Sequence, residues 1–221
     1  MPGILFSIGG AYMKFEWRKY EKNLYGAKII PALVNIPSYN FIMIKGSGNP
    51  NDTDFSDRVT ALYSLAYAIK MDYKSAAAKN ILSDGIHDFT VYPLEGVWKL
   101  KNTGTKSASS KLIKENLEYT IMIRQPDFIT EDMAYAALER IKIKKPHHMY
   151  EKIIFDTIHD GKCVEILHVG SYDNEPSSFG KMDKFTEENG LKRITDCHRE
   201  IYLSNRTKTD KLKTILRYKV N

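Results

Sequence analysis

The chain has 221 residues, 43% hydrophobic and 27% charged, which is ordinary globular composition and room for one large domain or two fused small modules. Its two cysteines, Cys163 and Cys197, exclude a disulfide framework and metal-type Cys spacing, and they suit a reducing, cytoplasmic setting. The net charge of +6 comes mostly from scattered lysines with no arginine–aromatic readout stripe, so it reads as solvated surface and nucleic acid is not an expected partner.

Residues 1–12 are mildly apolar, lack a basic n-region and are too short a run for a signal peptide or a membrane span. They read as an extension or remnant, with Met13 as the natural start. Residues 14–38 carry Lys, Tyr and Pro in no clean period and read as an arm crossing the surface. Residues 38–45 are a β-branched and aromatic strand, followed by a Gly/Asn/Asp loop. The spacing predicts a helix over 55–71, N-capped by Asp52 or Asp54, with Val59, Leu62, Tyr63, Ala66 and Tyr67 on one face. Strands are expected at 89–100 and 117–124, separated by a Gly/Ser/Thr/Lys stretch with turn chemistry. Thr130 caps a helix over 131–143 with a stripe of Met133, Ala136, Ala137 and Ile141, ended by the sequence Lys144-Lys145-Pro146.

The second half repeats that order. A strand at 162–169 leads into the loop 170–177. A helix follows at 178–188, with Phe179, Met182 and Phe185 inward and Gly190 near C′. Strands at 198–203 and 213–220 close the chain, joined by a polar loop. Two copies of strand-helix-strand-strand thus occupy about 38–124 and 150–221, with the helix at about 130–145 as connector. Aligned by order, the Leu94–Trp98 run matches the Arg199–Tyr202 run, and each places an acid and an aromatic on the first strand after its helix.

Three pieces carry a resemblance. They are Tyr92-Pro93-Leu94-Glu95-Gly96-Val97-Trp98, His168-Val169-Gly170-Ser171-Tyr172, and Glu200-Ile201-Tyr202-Leu203 with the run from Lys211 to Arg217. Together they resemble the GyrI-like small-molecule-binding domain, over roughly residues 30–220. The same domain forms the effector-binding half of multidrug-sensing transcription factors. The resemblance implies an α+β fold: two pseudo-symmetric modules forming antiparallel sheets around a shared ligand cleft, within a single domain over 13–221. It implies an aromatic-lined cleft with a carboxylate near its floor, taking planar or amphiphilic ligands. With no DNA-binding domain left over, the chain is similar to a stand-alone branch, the cyclopropanoid cyclopropyl hydrolases, which open the reactive ring of DNA-alkylating natural products.

Glu200 is the leading candidate, an acid inside a strand and therefore solvated, paired or waiting for a ligand. Period two puts Glu200 and Tyr202 on one face and Ile201 and Leu203 on the other. The apolar pair is expected to face the helices and Glu200 the cleft. There it would neutralise a cationic ligand or act as general base on water. Tyr172, in a loop at a strand end, is the second catalytic candidate. Trp98, Tyr92, Tyr63, Tyr67, Phe128 and Tyr202 are candidate aromatic walls, each with core packing as the plain alternative. Glu95 is read as the counterpart of Glu200, on the face opposite Trp98, and His168 as a ligand contact or a satisfied edge histidine. No metal or cofactor is expected: His147 and His148 are adjacent and have no carboxylate or Cys at ligand spacing. There is also no phosphate loop after Gly46-Ser47-Gly48 and no serine-hydrolase elbow. Two functions compete, a hydrolase of electrophilic planar compounds and a non-catalytic drug-binding or effector-sensing protein. Oligomeric state is open.

Overall fold

The computed structural model describes residues 13–79, 85–101, 113–204 and 208–221. The extension at 1–12, nearly all of the Gly/Ser/Thr/Lys stretch and part of the last polar loop lie outside the described residues. Among the described residues, eight strands and five α-helices follow in chain order: β1 (Met13–Phe15), α1 (Trp17–Tyr20), α2 (Lys22–Tyr25), β2 (Ala32–Ser47), α3 (Thr53–Ala78), β3 (Ile86–Phe89), β4 (Leu94–Leu100), β5 (Leu117–Arg124), α4 (Glu131–Lys144), β6 (Ile154–Val169), α5 (Glu175–Glu188), β7 (His198–Ser204) and β8 (Lys213–Lys219).

The two expected sheets are one closed antiparallel barrel in the order β2-β5-β4-β7-β8-β6. Each half supplies three adjacent strands. The halves meet twice, where β4 pairs β7 and where β6 closes against β2. Closure leaves no edge for another chain to extend. Matching Ala32 of β2 to Ile154 of β6 and following the ladder registers brings Gly96 onto Glu200, Trp98 onto Tyr202, and Glu95 onto Arg199. The repeat is real, but the expected equivalence of Glu95 and Glu200 is off by one residue. That slip moves a side chain to the other face of the sheet.

β2 and β6 are longer than their apolar cores suggest. The sequence of β2 before residue 38 contains Pro37, and the start of β6 is polar. The two strands pair from Ala32 with Glu165 to Met43 with Ile154, so the extra length of each is held by the other strand, and the ladder steps over Pro37 from Ile36 to Ser38. The run expected as one strand at 89–100 is broken at Thr90–Pro93: β3 peels away to pair with β1 in parallel, and β4 alone enters the barrel.

The outer surface is packed by the helices. Ile42, Ile44, Leu94, Ile121 and Ile123 face Leu62, Leu65 and Ile69 of α3 together with Leu138 and Ile141 of α4. Val164, Ile166, Leu216 and Tyr218 pack with Met182 of α5, and Phe179 and Phe185 lean on that cluster. The buried face of α3 is rotated from the expected one: Ala61, Leu62, Leu65, Ala66, Ile69 and Tyr73 are buried, whereas Tyr67 is 55% exposed. α4 likewise buries Ala134, Ala137, Leu138 and Ile141, and Ala136 is exposed. Each helix packs on two neighbours, so its buried stripe is set by the crossing and not by the densest apolar spacing. Thr130 caps α4 by accepting from the Met133 amide.

The barrel interior is mixed. Phe41, Met43 and Met122 form its apolar part. Charged side chains cross the rest: Arg199 to Glu95 at 2.8 Å and to Asp160 at 3.0 Å, Arg217 to Glu165 at 2.7 Å, and Lys219 to Asp160 at 3.2 Å. The arm expected over 14–38 covers one mouth. Glu21 pairs Arg124 at 2.8 Å and accepts from Tyr92 Oη at 2.7 Å, while Arg217 reaches the Leu24 carbonyl. A cavity of about 20 Å³ remains, lined by Tyr25, Glu95, Arg124, Asp160, Arg199 and Arg217 among others. That is room for about one water.

Candidate functional site

Glu200 does not enter the barrel. Its neighbours Arg199 and Ile201 point inward, where both line the cavity, and Glu200 and Tyr202 point outward to the helix side. The expectation had assigned the apolar residues to the helices. The barrel is filled as well as covered, so an apolar residue can face either way, and Ile201 faces the lumen. The site therefore lies on the outer face at the β4–β7 seam, where the two halves meet, between the N-terminal ends of α3 and α5.

A hydrogen-bonded chain runs across this seam. Trp98 Nε1 donates to Tyr202 Oη at 2.9 Å. An indole N–H is only a donor, so the Tyr202 hydroxyl must accept it and pass its own proton on. It does so to Glu200 Oε2 at 2.8 Å. The other carboxylate oxygen, Oε1, lies 2.9 Å from His198 Nε2. Both oxygens of Glu200 are thus fixed while each keeps a lone pair in reserve. Burial, followed by the adjacent Glu200 charge, pushes the Tyr202 hydroxyl well above its ordinary range, so it remains a donor.

Gly96 makes this possible. It pairs directly with Glu200 across the seam, and a Cβ on it would run into Trp98 Nε1. Without that Cβ, the Trp98 ring folds back along β4 to reach Tyr202. Gly46 serves the next aromatic in the same way, since its missing Cβ leaves room for the Tyr119 ring. Trp98 is stacked on Phe55 of α3 at 5.8 Å and tilted against Tyr119 at 5.0 Å.

The opposite wall comes from the second half. Tyr172 meets Tyr202 edge-on at 6.0 Å and is 43% exposed, forming the rim. Burial, then Glu200 and Glu175, raise its hydroxyl above the ordinary value. Phe179 of α5 stands edge-on to His198 at 4.9 Å. Glu175, in the first turn of α5, is 8% exposed, and its Oε1 is shielded from solvent with no hydrogen-bond partner. Burial, then Glu200 and Asp173, raise its carboxyl to about 9. The site therefore holds two acids of opposite character, one wrapped in donors and one without any.

The sequence candidates divide accordingly. Trp98, Tyr172, Glu200 and Tyr202 come together. Tyr63 and Tyr67 lie a turn apart on α3 with their rings 6.4 Å apart, Tyr63 partly buried against the core and Tyr67 exposed. Glu95 is on the far side of the sheet, 3% exposed and bound to Arg199. Tyr92 is buried under the arm, stacked on Trp17 and bonded to Glu21. Phe128 belongs to a separate aromatic cluster with Phe15, Tyr73 and Phe89. His168 has both ring nitrogens occupied, by Ser178 Oγ and the Ser171 carbonyl, each at 2.9 Å. It anchors the Tyr172 loop and does not face the groove. His147 and His148 stack at 4.9 Å, and among the described residues no group of three or more His, Cys, Asp or Glu could hold a metal ion.

Sequence reasoning missed Phe55, Glu175 and His198. His198 was legible as the residue two positions before Glu200 on the same strand face. Glu175 falls within the loop expected over 170–177; in the structure it sits in the first turn of α5, where Pro176 is well tolerated.

The geometry now stands beside known proteins. The family model of the GyrI-like small molecule binding domain matches residues 31–219. A hydrolase of known structure from Listeria innocua is 33% identical, covers 95% of this chain and 100% of its own, and superposes with a TM-score of 0.81. An uncharacterised conserved protein from Listeria innocua is 32% identical over 94% of this chain and 100% of its own, with a TM-score of 0.80. The EcmrR C-terminal domain shares the fold at 15% identity, over 86% of this chain and 96% of its own, with a TM-score of 0.50. No curated protein matches the sequence. The class that the fold defines is a six-stranded barrel built from two halves, and the chain belongs to the GyrI-like small-molecule-binding domain family. No helix among the described residues is long and apolar enough to cross a membrane.

Proposed function

We propose that this protein takes a planar, electrophilic small molecule into the groove between α3 and α5 and hydrolyses it, with Glu200 as the general base. The substrate class that fits is the cyclopropanoid alkylators, in which a strained ring is conjugated to a carbonyl. The observation that carries this reading is the Trp98–Tyr202–Glu200–His198 chain, which holds a nearly buried carboxylate at a fixed angle beneath aromatic faces. Phe55 on one side and Tyr172 and Phe179 on the other are partly exposed rings around it, with the buried Trp98 and Tyr119 packed behind Phe55. Such an orienting cage supports the geometry that water attack needs. The Tyr172 hydroxyl has no hydrogen-bond partner among the described residues, so it is available to a ligand oxygen. Two of the similar Listeria proteins are called hydrolases, which is consistent with chemistry at this seam.

The test is incubation with a spirocyclopropyl cyclohexadienone and detection of the water adduct by mass spectrometry. Glu200→Gln should fold normally, retain binding and lose turnover by about 10²–10⁴-fold, the usual worth of a positioned base. Unchanged turnover in that variant removes Glu200 from the mechanism. A second reading, a non-catalytic drug-binding or effector-sensing protein, is favoured by the same carboxylate beneath aromatic rings, an arrangement that holds flat cations without any reaction. Stoichiometric binding of the probe with no ring-opened product selects it. Neither reading involves nucleic acid, and cytoplasmic residence suits both.

A further inference from the structure

We propose that Glu175 is the acid partner of Glu200, a carboxylic acid kept protonated in the groove that donates its proton to the ligand oxygen on which charge develops. This inference rests on the hydrolytic reading and adds to it the proton donor that ring opening requires.

The argument begins with satisfaction of polar groups. Buried polar atoms in folded proteins are almost always partnered. Glu175 Oε1 is not, although the residue is 8% exposed. An ionised carboxylate in that position would be a desolvated charge without a donor, which is the least favourable state available to it. A neutral carboxyl there is tolerable, and its hydroxyl lacks only an acceptor. Glu200 supplies the contrast. Tyr202 donates to one of its oxygens and His198 Nε2 lies 2.9 Å from the other, so both are partnered. One acid with both oxygens partnered beside one with a buried, unpartnered oxygen gives the asymmetry that an acid–base pair needs.

The groups acting on Glu175 come from each side of it. Asp173 lies on its own loop and Glu200 on the facing strand, both negative and both favouring the proton, and no cation acts on it among the described residues. Glu175 follows Tyr172, whose ring meets Tyr202, and lies one helical turn before Phe179, whose ring meets His198, so it sits beside the strand that carries Glu200. α5 sets its position: Glu175 is the first residue of the helix, Pro176 fixes the first turn, and Met182 locks the helix onto β6 and β8.

The step balances with water as the sole co-reactant. Water adds to the cyclopropyl carbon and its proton passes to Glu200. The cyclopropane C–C bond breaks, and its electron pair moves through the conjugated system to the carbonyl oxygen. That oxygen takes the proton from Glu175 and leaves as a phenol. Return of one proton from Glu200 to Glu175 through solvent resets the pair. Nothing is oxidised or reduced beyond the rearrangement of the substrate itself.

Infrared difference spectroscopy and kinetics test the proposal together, with a spirocyclopropyl cyclohexadienone as probe. At neutral pH the wild-type protein should show the C=O stretch of a protonated carboxylic acid, absent in Glu175→Gln. Glu175→Gln keeps a hydrogen-bond donor without a transferable proton, so kcat should fall about 100-fold while KM changes little. The alkaline limb of the wild-type pH–rate profile, near pH 9, should vanish in the variant. Lack of the acid band in the wild type overturns the proposal whatever the activity, as does wild-type kcat in Glu175→Gln. If the wild-type protein binds the probe without opening it, the hydrolytic reading falls and the band decides: a shift on binding keeps Glu175 as donor to the ligand, and an unmoved band overturns it.

Discussion

At the residue scale, the site depends on an atom that is missing. Gly96 has no special backbone angle to explain it; its role is to leave space for the ring of Trp98. Gly96→Ala should therefore push the indole off Tyr202 and cost about 1–3 kcal/mol, as overpacking at a filled position does. Urea titration should show the loss of stability, and tryptophan fluorescence a changed environment for Trp98. If Trp98 stays in place and stability is unchanged, the glycine is not what brings the indole to Tyr202. The same scale shows why Glu200 was visible in the sequence and its setting was not. An acid in a strand of apolar and aromatic residues stands out by type. Which side it takes depends on what fills the barrel, and that is decided by Arg199, Glu95 and Asp160 pairing inside it. The role of Glu95 was misjudged for a related reason: a one-residue difference in the repeat is invisible to alignment by order, yet it reverses the face.

At the scale of elements, the loop after β6 and the start of α5 act as one piece. His168 is 4% exposed and ties the Ser171 carbonyl to Ser178 of the helix, so it holds Tyr172 at the rim without touching the groove. His168→Ala leaves the buried Ser178 hydroxyl and the half-buried Ser171 carbonyl without their partner. It should cost about 1–3 kcal/mol and loosen the loop. Hydrogen exchange of the amides at 170–174 should accelerate, with ligand affinity falling in step; protection equal to wild type would show that the loop is held by other means. The helices themselves were largely legible, because capping and periodicity are local. Their buried stripes on α3 and α4 were not, because each is chosen by two packing partners at once. Tyr67 was assigned to the core face by its spacing and is found 55% exposed.

At the scale of the whole molecule, the two halves are joined through charges as well as through strands. Arg199 of the second half is 5% exposed and bonded to Glu95 of the first, with Asp160 completing the group. Removing one member leaves a desolvated charge, so Glu95→Ala should cost about 3–5 kcal/mol, measured by urea or thermal denaturation. A cost below about 1 kcal/mol would mean that water replaces the carboxylate easily. The pH dependence of stability follows from Glu175. Its folded value, about 9, lies above the ordinary 4.5. Below about 4.5 both folded and unfolded chains are protonated there and the group imposes no penalty. Between 4.5 and about 9 only the folded chain keeps the proton, so stability declines as pH rises, and above about 9 this slope ends. Denaturation midpoints of the wild type and Glu175→Gln should diverge across that window, the variant showing the flatter profile. Parallel profiles would contradict the shift.

The sequence by itself determined the number and order of the principal elements, the duplication, and the residue types at the seam, because periodicity, caps and the spacing of Gly96, Trp98, Glu200 and Tyr202 are properties of neighbouring residues. Closure of six strands into one barrel, the turning of Glu200 outward, and the meeting of Glu175 with it were decided only by the tertiary structure. Each depends on partners far away in the chain: β2 against β6, Arg199 against Glu95, and α5 against the strand that carries its acid.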